Sequence, residues 1–188
     1  MSRDVAGVPL DAAWRLRLDD LAASRRLPLS GDLARLAPAL REVSGAYNAG
    51  DFCFRWTPER LAARLHFFLP RDQAKVAGAL RDVPLSPAWF GVGPPLEVLD
   101  VGAGVGASSL GAVRFLRAAG VTRDIQITLR DVDVEALAVA REVLAALPGV
   151  HLRRDDAPLP RFDLVLYVQV LVEVAAGRPE DAGDAACA

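Results

Sequence analysis

The sequence predicts an α/β fold built on a doubly wound parallel sheet, preceded by an α-helical region. Three observations carry that prediction. The run LEVLDV at 96–101 is short, continuous and apolar, as a strand buried on both faces is, and it stops at a glycine-rich turn. Helical spacing follows that turn, and the alternation of strand-like and helix-like segments then repeats along the chain. Residues 1–90, by contrast, carry apolar side chains at helical spacing and no strand pattern.

In the N-terminal region, Leu33, Leu36, Leu40 and Val43 mark one helix, with Ser30 as its candidate cap and Pro38 expected to kink or split it. A second helix starts at Thr57-Pro58, shows a face of Leu61, Leu65 and Phe68, and is expected to stop at Pro70. A third begins at Asp72 and runs through Val76, Ala77 and Leu80 to a stop before Pro84. The Pro- and Gly-rich stretch at 86–95 reads as a linker. After the first strand, Ser108–Ala119 reads as a helix that Gly120 ends, and IQITLRD at 125–131 reads as strand two. Asp133 caps a helix through Leu137, Ala140 and Leu144, closed by Pro148-Gly149. VHLRRD at 150–155 is a short third strand, and FDLVLYVQVLVEV at 162–174 opens as a fourth and then loses strand character. Three units follow: a helical region at 1–90, a ligand-binding sheet domain at 96–176, and a small, polar tail at 177–188 expected to be disordered.

A chain of 188 residues suits one domain or one domain with an appendage, and a hydrophobic content of 52% allows a sizeable core. With Lys+Arg at 22 and Asp+Glu at 24, the charge balance gives no support for broad electrostatic capture of nucleic acid. Lys75 is the only lysine. Arginine forks suit phosphate, although a general bias towards Arg and Ala accounts for the same fact. Cys53 and Cys187 form neither a CxxC pair nor a disulfide framework, which points to a reducing, cytoplasmic setting and to no metal site. No secretory signal opens the chain, and the longest apolar run, Leu164 to Ala176, is too short to span a bilayer and is broken by Gln169 and Glu173. No membrane partner is expected.

The segment DVGAGVG places Gly102, Gly104 and Gly106 between a strand and a helix, where the chain must turn sharply and a ligand must approach bare backbone. A tight turn with no ligand is the plain alternative. GAGVGA also satisfies a dinucleotide pattern through Gly102, Gly104 and Ala107. Two acids argue for S-adenosyl-L-methionine instead. Asp100 ends strand one just before the loop, where a carboxylate suits the cationic methionine end and repels a pyrophosphate. Asp131 ends strand two, where a carboxylate accepts both ribose hydroxyls.

With these motifs in place, residues 96–174 resemble the first half of a class I S-adenosylmethionine-dependent methyltransferase, which has a Rossmann-like fold. The resemblance implies that Asp100, Gly102, Ala103 and Gly104, with Gly106 in the same loop, line the methionine and ribose side. It also implies that Asp131 binds the ribose, Val132 packs on the adenine, and Asp156 with Ala157 meets the adenine edge, ahead of a strand beginning Phe-Asp. Asp133 is expected to be a helix cap, Asp155 solvated but close enough to leave the register open, and Asp163 structural. More narrowly, RLHFFLPRDQAKVAGAL, LDVGAGVGASSLGA and FDLVLYVQVLVEV resemble a methyltransferase-like family associated with assembly of the mitochondrial small ribosomal subunit, and its bacterial relatives. That match spans roughly residues 45–174. Members commonly carry a cysteine cluster in the C-terminal half; this chain has none, so no metal role carries over.

The resemblance implies a methyltransferase or methyltransferase-like protein acting on ribosomal RNA or in small-subunit assembly. Two other readings stand beside it: a non-catalytic assembly module that keeps the fold, and a nicotinamide-dependent oxidoreductase. No Asp/Asn-Pro-Pro-aromatic motif and no cysteine directly follow strand four, which argues against exocyclic amine methylation and against a cysteine nucleophile. His66 and His151 read as packed or surface residues, so no catalytic residue is assigned, and methyl transfer can proceed by positioning alone. The aromatics Phe52, Phe54, Trp56, Phe67 and Phe68, interleaved with Arg55, Arg60 and Arg64, form either a base-stacking surface or, more simply, core. A complete sheet of this class has seven strands. Only four are readable here, so the sheet is expected to be truncated after strand four, with an apolar edge at 164–168 that invites self-association or a partner subunit.

Overall fold

A computed structural model describes residues 9–49, 56–154 and 156–168. The expectations for Phe52, Cys53, Phe54, Arg55, Asp155, Cys187 and all residues after Val168 lie outside these. The chain builds α1 (Ala12–Ser24), α2 (Leu33–Ala49), α3 (Pro58–Ala63), a π-helical segment (Arg64–Phe68) and α4 (Leu69–Arg81). After a short 3-10 turn (Pro87–Trp89) come β1 (Leu96–Val101), α5 (Ala107–Ala118), β2 (Ile125–Arg130), α6 (Val134–Ala145), β3 (Val150–Leu152) and β4 (Leu164–Tyr167).

The four strands form one all-parallel sheet in the order β3-β2-β1-β4. β1 takes an inner position, with Leu96 opposite Ile125 on one side and Val98 opposite Leu164 on the other. α5 carries the chain from β1 to β2 and α6 from β2 to β3, and the two helices touch. The chain then crosses to the far side of β1, through residues 153–163, whose described positions form no helix. The carboxyl ends of β1 and β4 therefore flank a topological switch point, where open α/β sheets place their ligands.

Alternation along β1 buries Leu96, Val98 and Asp100, and Asp100 meets α5. Leu99 and Val101 on the opposite row are only half-buried. Val165 and Tyr167, their register partners on β4, are 43% and 51% exposed. A doubly wound sheet carries helices on both faces. Among the described residues the second layer is not formed, because the β3–β4 connection supplies no helix to build it.

Three expectations about the helices change. Ser30 does not cap α2; its N–H and hydroxyl donate to the Asp19 carboxylate, at 2.6 and 2.8 Å, and the helix starts later, at Leu33. Pro38 does not split α2, whose 17 residues run through it. The proline costs one backbone hydrogen bond near the helix start, and burial of Leu36, Ala39 and Val43 outweighs that. Pro70 does not end the second helix either. The Leu69 N–H reaches back to the Arg64 carbonyl, a π-type bond, so the widened turn removes the clash between the proline ring and the preceding carbonyls. The run from Pro58 to Arg81 is therefore continuous.

α4 lies directly against α5. A Cβ on Gly111 would overlap the Gln73 carbonyl oxygen, so glycine sets the closeness of that approach. One hydrophobic cluster runs from Leu18 in α1 through Leu65 and Leu69 to Leu110, Ile127, Leu144 and Leu166. The helical region thereby holds one wall of a cleft against the carboxyl ends of the strands.

Candidate functional site

A cavity of about 520 Å³ lies between that helical wall and the glycine loop. The loop side comprises Gly102, Ala103, Gly104 and Val105, with Asp131, Val132 and Asp133 from the end of β2. The helical side presents Ser44, Tyr47 and Asn48, which share a face of α2 at spacings of three and four, and Arg64, Phe68 and Arg71 from the continuous helix. Trp56 and Val168 also line the cavity.

The loop takes its shape from glycine. Gly102, Gly104 and Gly106 have φ of 71°, 50° and 87°, a region that residues with a Cβ rarely adopt. Gly102 and Ala103 donate backbone hydrogen bonds to the Arg130 carbonyl, which ties the loop to the end of β2. Gly106 does not line the cavity. It stands against Ala140 of α6 and serves helix packing.

The Asp131 carboxylate accepts from the Gly104 N–H at 2.6 Å and from the Asp133 N–H at 2.9 Å, so this acid fastens the loop that it faces. Asp133 caps α6 through the Ala136 N–H, as expected, and its other oxygen pairs with Arg64 at 2.8 Å. Arg64 also lies over the Trp56 ring, 4.6 Å from its centroid. On the same helical side, Arg71 stacks on Phe68 at 4.5 Å and pairs with the buried Asp72, which Lys75 also contacts. Burial pushes the Asp72 carboxyl up, but the hydrogen bonds from Arg71 and Lys75 outweigh it and hold the group below its ordinary value.

Asp100 sits differently from its expected role. It is 0% exposed and is not part of the cavity wall. One oxygen accepts from the hydroxyls of Ser108 and Ser109 at 2.5 and 2.6 Å and from the Ser109 N–H at 3.0 Å. The other oxygen has no hydrogen-bond partner. Burial raises its pKa to about 6, against the lowering effect of those bonds. The carboxylate sits at the N-terminus of α5, where negative charge is favoured. Asp156 and Ala157 also lie off the cavity wall. Asp156 pairs with Arg154 at 2.9 Å, with a side chain 69% exposed, and Ala157 closes a turn onto the Arg154 carbonyl. Asp163 is structural, accepting from the Glu97 N–H at 3.0 Å while its own N–H donates to the Glu97 carbonyl.

The structure thus brings Gly102, Ala103, Gly104, Asp131 and Val132 together and leaves Asp100, Gly106, Asp156 and Ala157 behind or beside them. Sequence reasoning missed the helical wall: Tyr47, Arg71 and the Arg64–Asp133 pair. The spacing of Arg64, Phe68 and Arg71 marks one helix face, but nothing local says that this face looks onto a glycine loop 40 residues on. His66 is packed, its Nε2 3.1 Å from the Pro28 carbonyl, and burial pushes its pKa down. Exposed His151 pairs with Asp124 at 3.0 Å. Among the described residues no cluster of three His, Cys, Asp or Glu could hold a metal ion, and no helix is long and apolar enough to cross a membrane.

No family model, curated protein or solved structure matches this chain.

Proposed function

We propose that the cleft binds S-adenosyl-L-methionine and that the chain is a methyltransferase or methyltransferase-like protein. One observation carries the reading: bare backbone at Gly102 and Gly104 faces the same cavity as Asp131, at the carboxyl ends of adjacent parallel strands beside the switch point. The residues present fit such a ligand. The loop admits close approach, Asp131 offers carboxylate oxygens to ribose hydroxyls, and Val132, 73% exposed on the rim, offers apolar surface to a base. When bound, the ligand supplies an electrophilic methyl group; the chain's part is to orient it and to hold the acceptor. Methyl transfer from a sulfonium can proceed by positioning alone. Titration calorimetry with S-adenosylmethionine and S-adenosylhomocysteine tests the reading. Saturable heat is expected, and no heat up to millimolar ligand, or binding of reduced nicotinamide dinucleotide instead, sinks it.

The acceptor in this reading is ribosomal RNA, or the role is in small-subunit assembly, and radiolabelled methyl transfer to RNA in an extract is the check. A non-catalytic module is favoured by one feature, the displacement of Asp156 from the cleft; labelled product would exclude it. β4 pairs only with β1 among the described residues, so self-association or a partner subunit at that edge belongs to the same reading. Light scattering should show a species larger than the monomer.

A further inference from the structure

Arg64 stands where a ligand of the glycine loop must come. Its Nη2 lies 2.5 Å from the point that a Cβ on Gly104 would occupy, so the guanidinium rests on the stretch of backbone that glycine leaves bare. It is held there by two contacts. Nη1 donates to Asp133 at 2.8 Å, with both side chains about seven-eighths buried (13% and 14% exposed), and the guanidinium plane faces Trp56. Its backbone carbonyl is the acceptor of the π-type bond that lets the helix pass Pro70. A ligand that packs on Gly104 must therefore displace the guanidinium. A part-buried guanidinium cannot deprotonate, so it needs a new anionic partner once Asp133 is left.

We propose that Arg64 exchanges Asp133 for the anionic end of the ligand, and so forms an anion receptor supplied by the helical region to a glycine loop that belongs to the sheet. This rests on the cofactor reading above. For an adenosyl amino acid the anion is the α-carboxylate; for a dinucleotide it is the pyrophosphate. An arginine fork suits both, and they are told apart by the ligand used. The exchange also explains how the helical wall is coupled to the ligand: the residue that closes the cleft is the one that grips its occupant.

The test measures affinity, not turnover. Calorimetry on the full chain compares S-adenosylhomocysteine, which has the carboxylate, with methylthioadenosine, which lacks the whole amino-acid end, for the parent, Arg64→Met and Asp133→Asn. Arg64→Met should weaken S-adenosylhomocysteine by roughly tenfold or more, the range of a lost charge-assisted hydrogen bond, while methylthioadenosine changes little or tightens. Asp133→Asn keeps a side-chain oxygen to cap α6 but releases the guanidinium, and should tighten S-adenosylhomocysteine several-fold. That gain separates a receptor from a merely structural arginine, for which loss of the ion pair would bring no improvement. Equal weakening of both ligands in Arg64→Met, or no tightening in Asp133→Asn, overturns the exchange while leaving the cofactor reading intact. If the parent binds neither adenosyl compound but takes up reduced nicotinamide dinucleotide in an Arg64-dependent way, the receptor stands and the cofactor reading falls. If it binds none of the three, both fall.

Discussion

The two halves of the sheet hold the acids near the carboxyl ends of their strands in different ways. At the carboxyl ends of β1 and β2 the acids are engaged by backbone or hydroxyl donors: Asp100 by Ser108 and Ser109, Asp131 by Gly104 and Asp133, Asp133 by Ala136. In the β3–β4 half, Asp156 hangs on an exposed pair with Arg154, in a connection whose described residues form no helix. The first half is a packed unit in which a crossover helix fixes each loop. The second lacks a crossover helix among the described residues; Arg153 and Asp163 tie the ends of its loop to Glu97, and the stretch that carries Asp156 is placed by its own turn. A binding motif therefore becomes a site only where the surrounding elements hold it to the cleft.

The most damaging way to break the ordered half lies outside the glycine loop. Gly111→Val should cost about 3 kcal/mol of stability, at the upper end for overpacking, because the added carbons meet the Gln73 carbonyl and a backbone atom cannot swing aside. Chemical denaturation would show it as a lower midpoint, and ligand affinity should fall with it, since α4 and α5 carry the two walls. A midpoint close to the parent's would mean that the helices part without consequence. Asp131→Ala comes next. Ribose hydroxyls lose a charged acceptor, so binding should weaken by roughly 1–3 kcal/mol. Because Asp131 also fastens Gly104, stability should fall too, by about 1 kcal/mol. Binding unchanged in calorimetry would remove Asp131 from the ligand.

The same contrast explains what the sequence made legible. The four strands, α5 and α6 could be placed because each is signalled locally, by an apolar run, a glycine turn or a cap at Asp133. Gly102, Gly104 and Asp131 were readable because backbone strain and strand ends fix where they point. Arg64 was readable only as one of several arginines interleaved with aromatics, because its place at the glycine loop rests on packing between a helix and a loop far apart in sequence. Pro38 and Pro70 misled for a related reason: a proline's local cost was outweighed by burial in one case and absorbed by a π turn in the other. Asp100 was placed correctly at the end of β1, but which way its carboxyl turns was settled by two serines that also read as ordinary helix residues.

Asp100 offers a sharper test, through pH. Its folded-state pKa is about 6, against 3.8 for the ordinary carboxyl, so between those values the folded chain holds a proton that the unfolded chain releases. Stability from this group is therefore present at low pH and lost as pH rises through that window, by up to roughly 3 kcal/mol. Asp100→Asn removes the titration. The difference in stability between variant and parent should shift in the variant's favour from pH 4 to pH 7, whatever its value at pH 4. Denaturation midpoints that run parallel across that range would show that the buried carboxyl does not titrate there.

The smallest effect expected is at Asp156, and it tests the contrast most directly. If the β3–β4 connection keeps its position when ligand binds, Asp156→Ala removes only an exposed ion pair with Arg154, worth less than about 1 kcal/mol, and changes neither stability nor affinity measurably. If the connection closes over the cleft and Asp156 reaches a base, the variant should lose affinity for S-adenosylhomocysteine while stability stays level. Inosine in place of adenosine in the ligand refines the second outcome, since it replaces the exocyclic amine with a carbonyl oxygen that a carboxylate repels. Equal binding of both by the parent, with Asp156→Ala silent, would mean that this half of the sheet takes no part in recognising the base. Selectivity for adenosine that Asp156→Ala abolishes would mean that ligand binding orders the half that the packing of the chain alone leaves open.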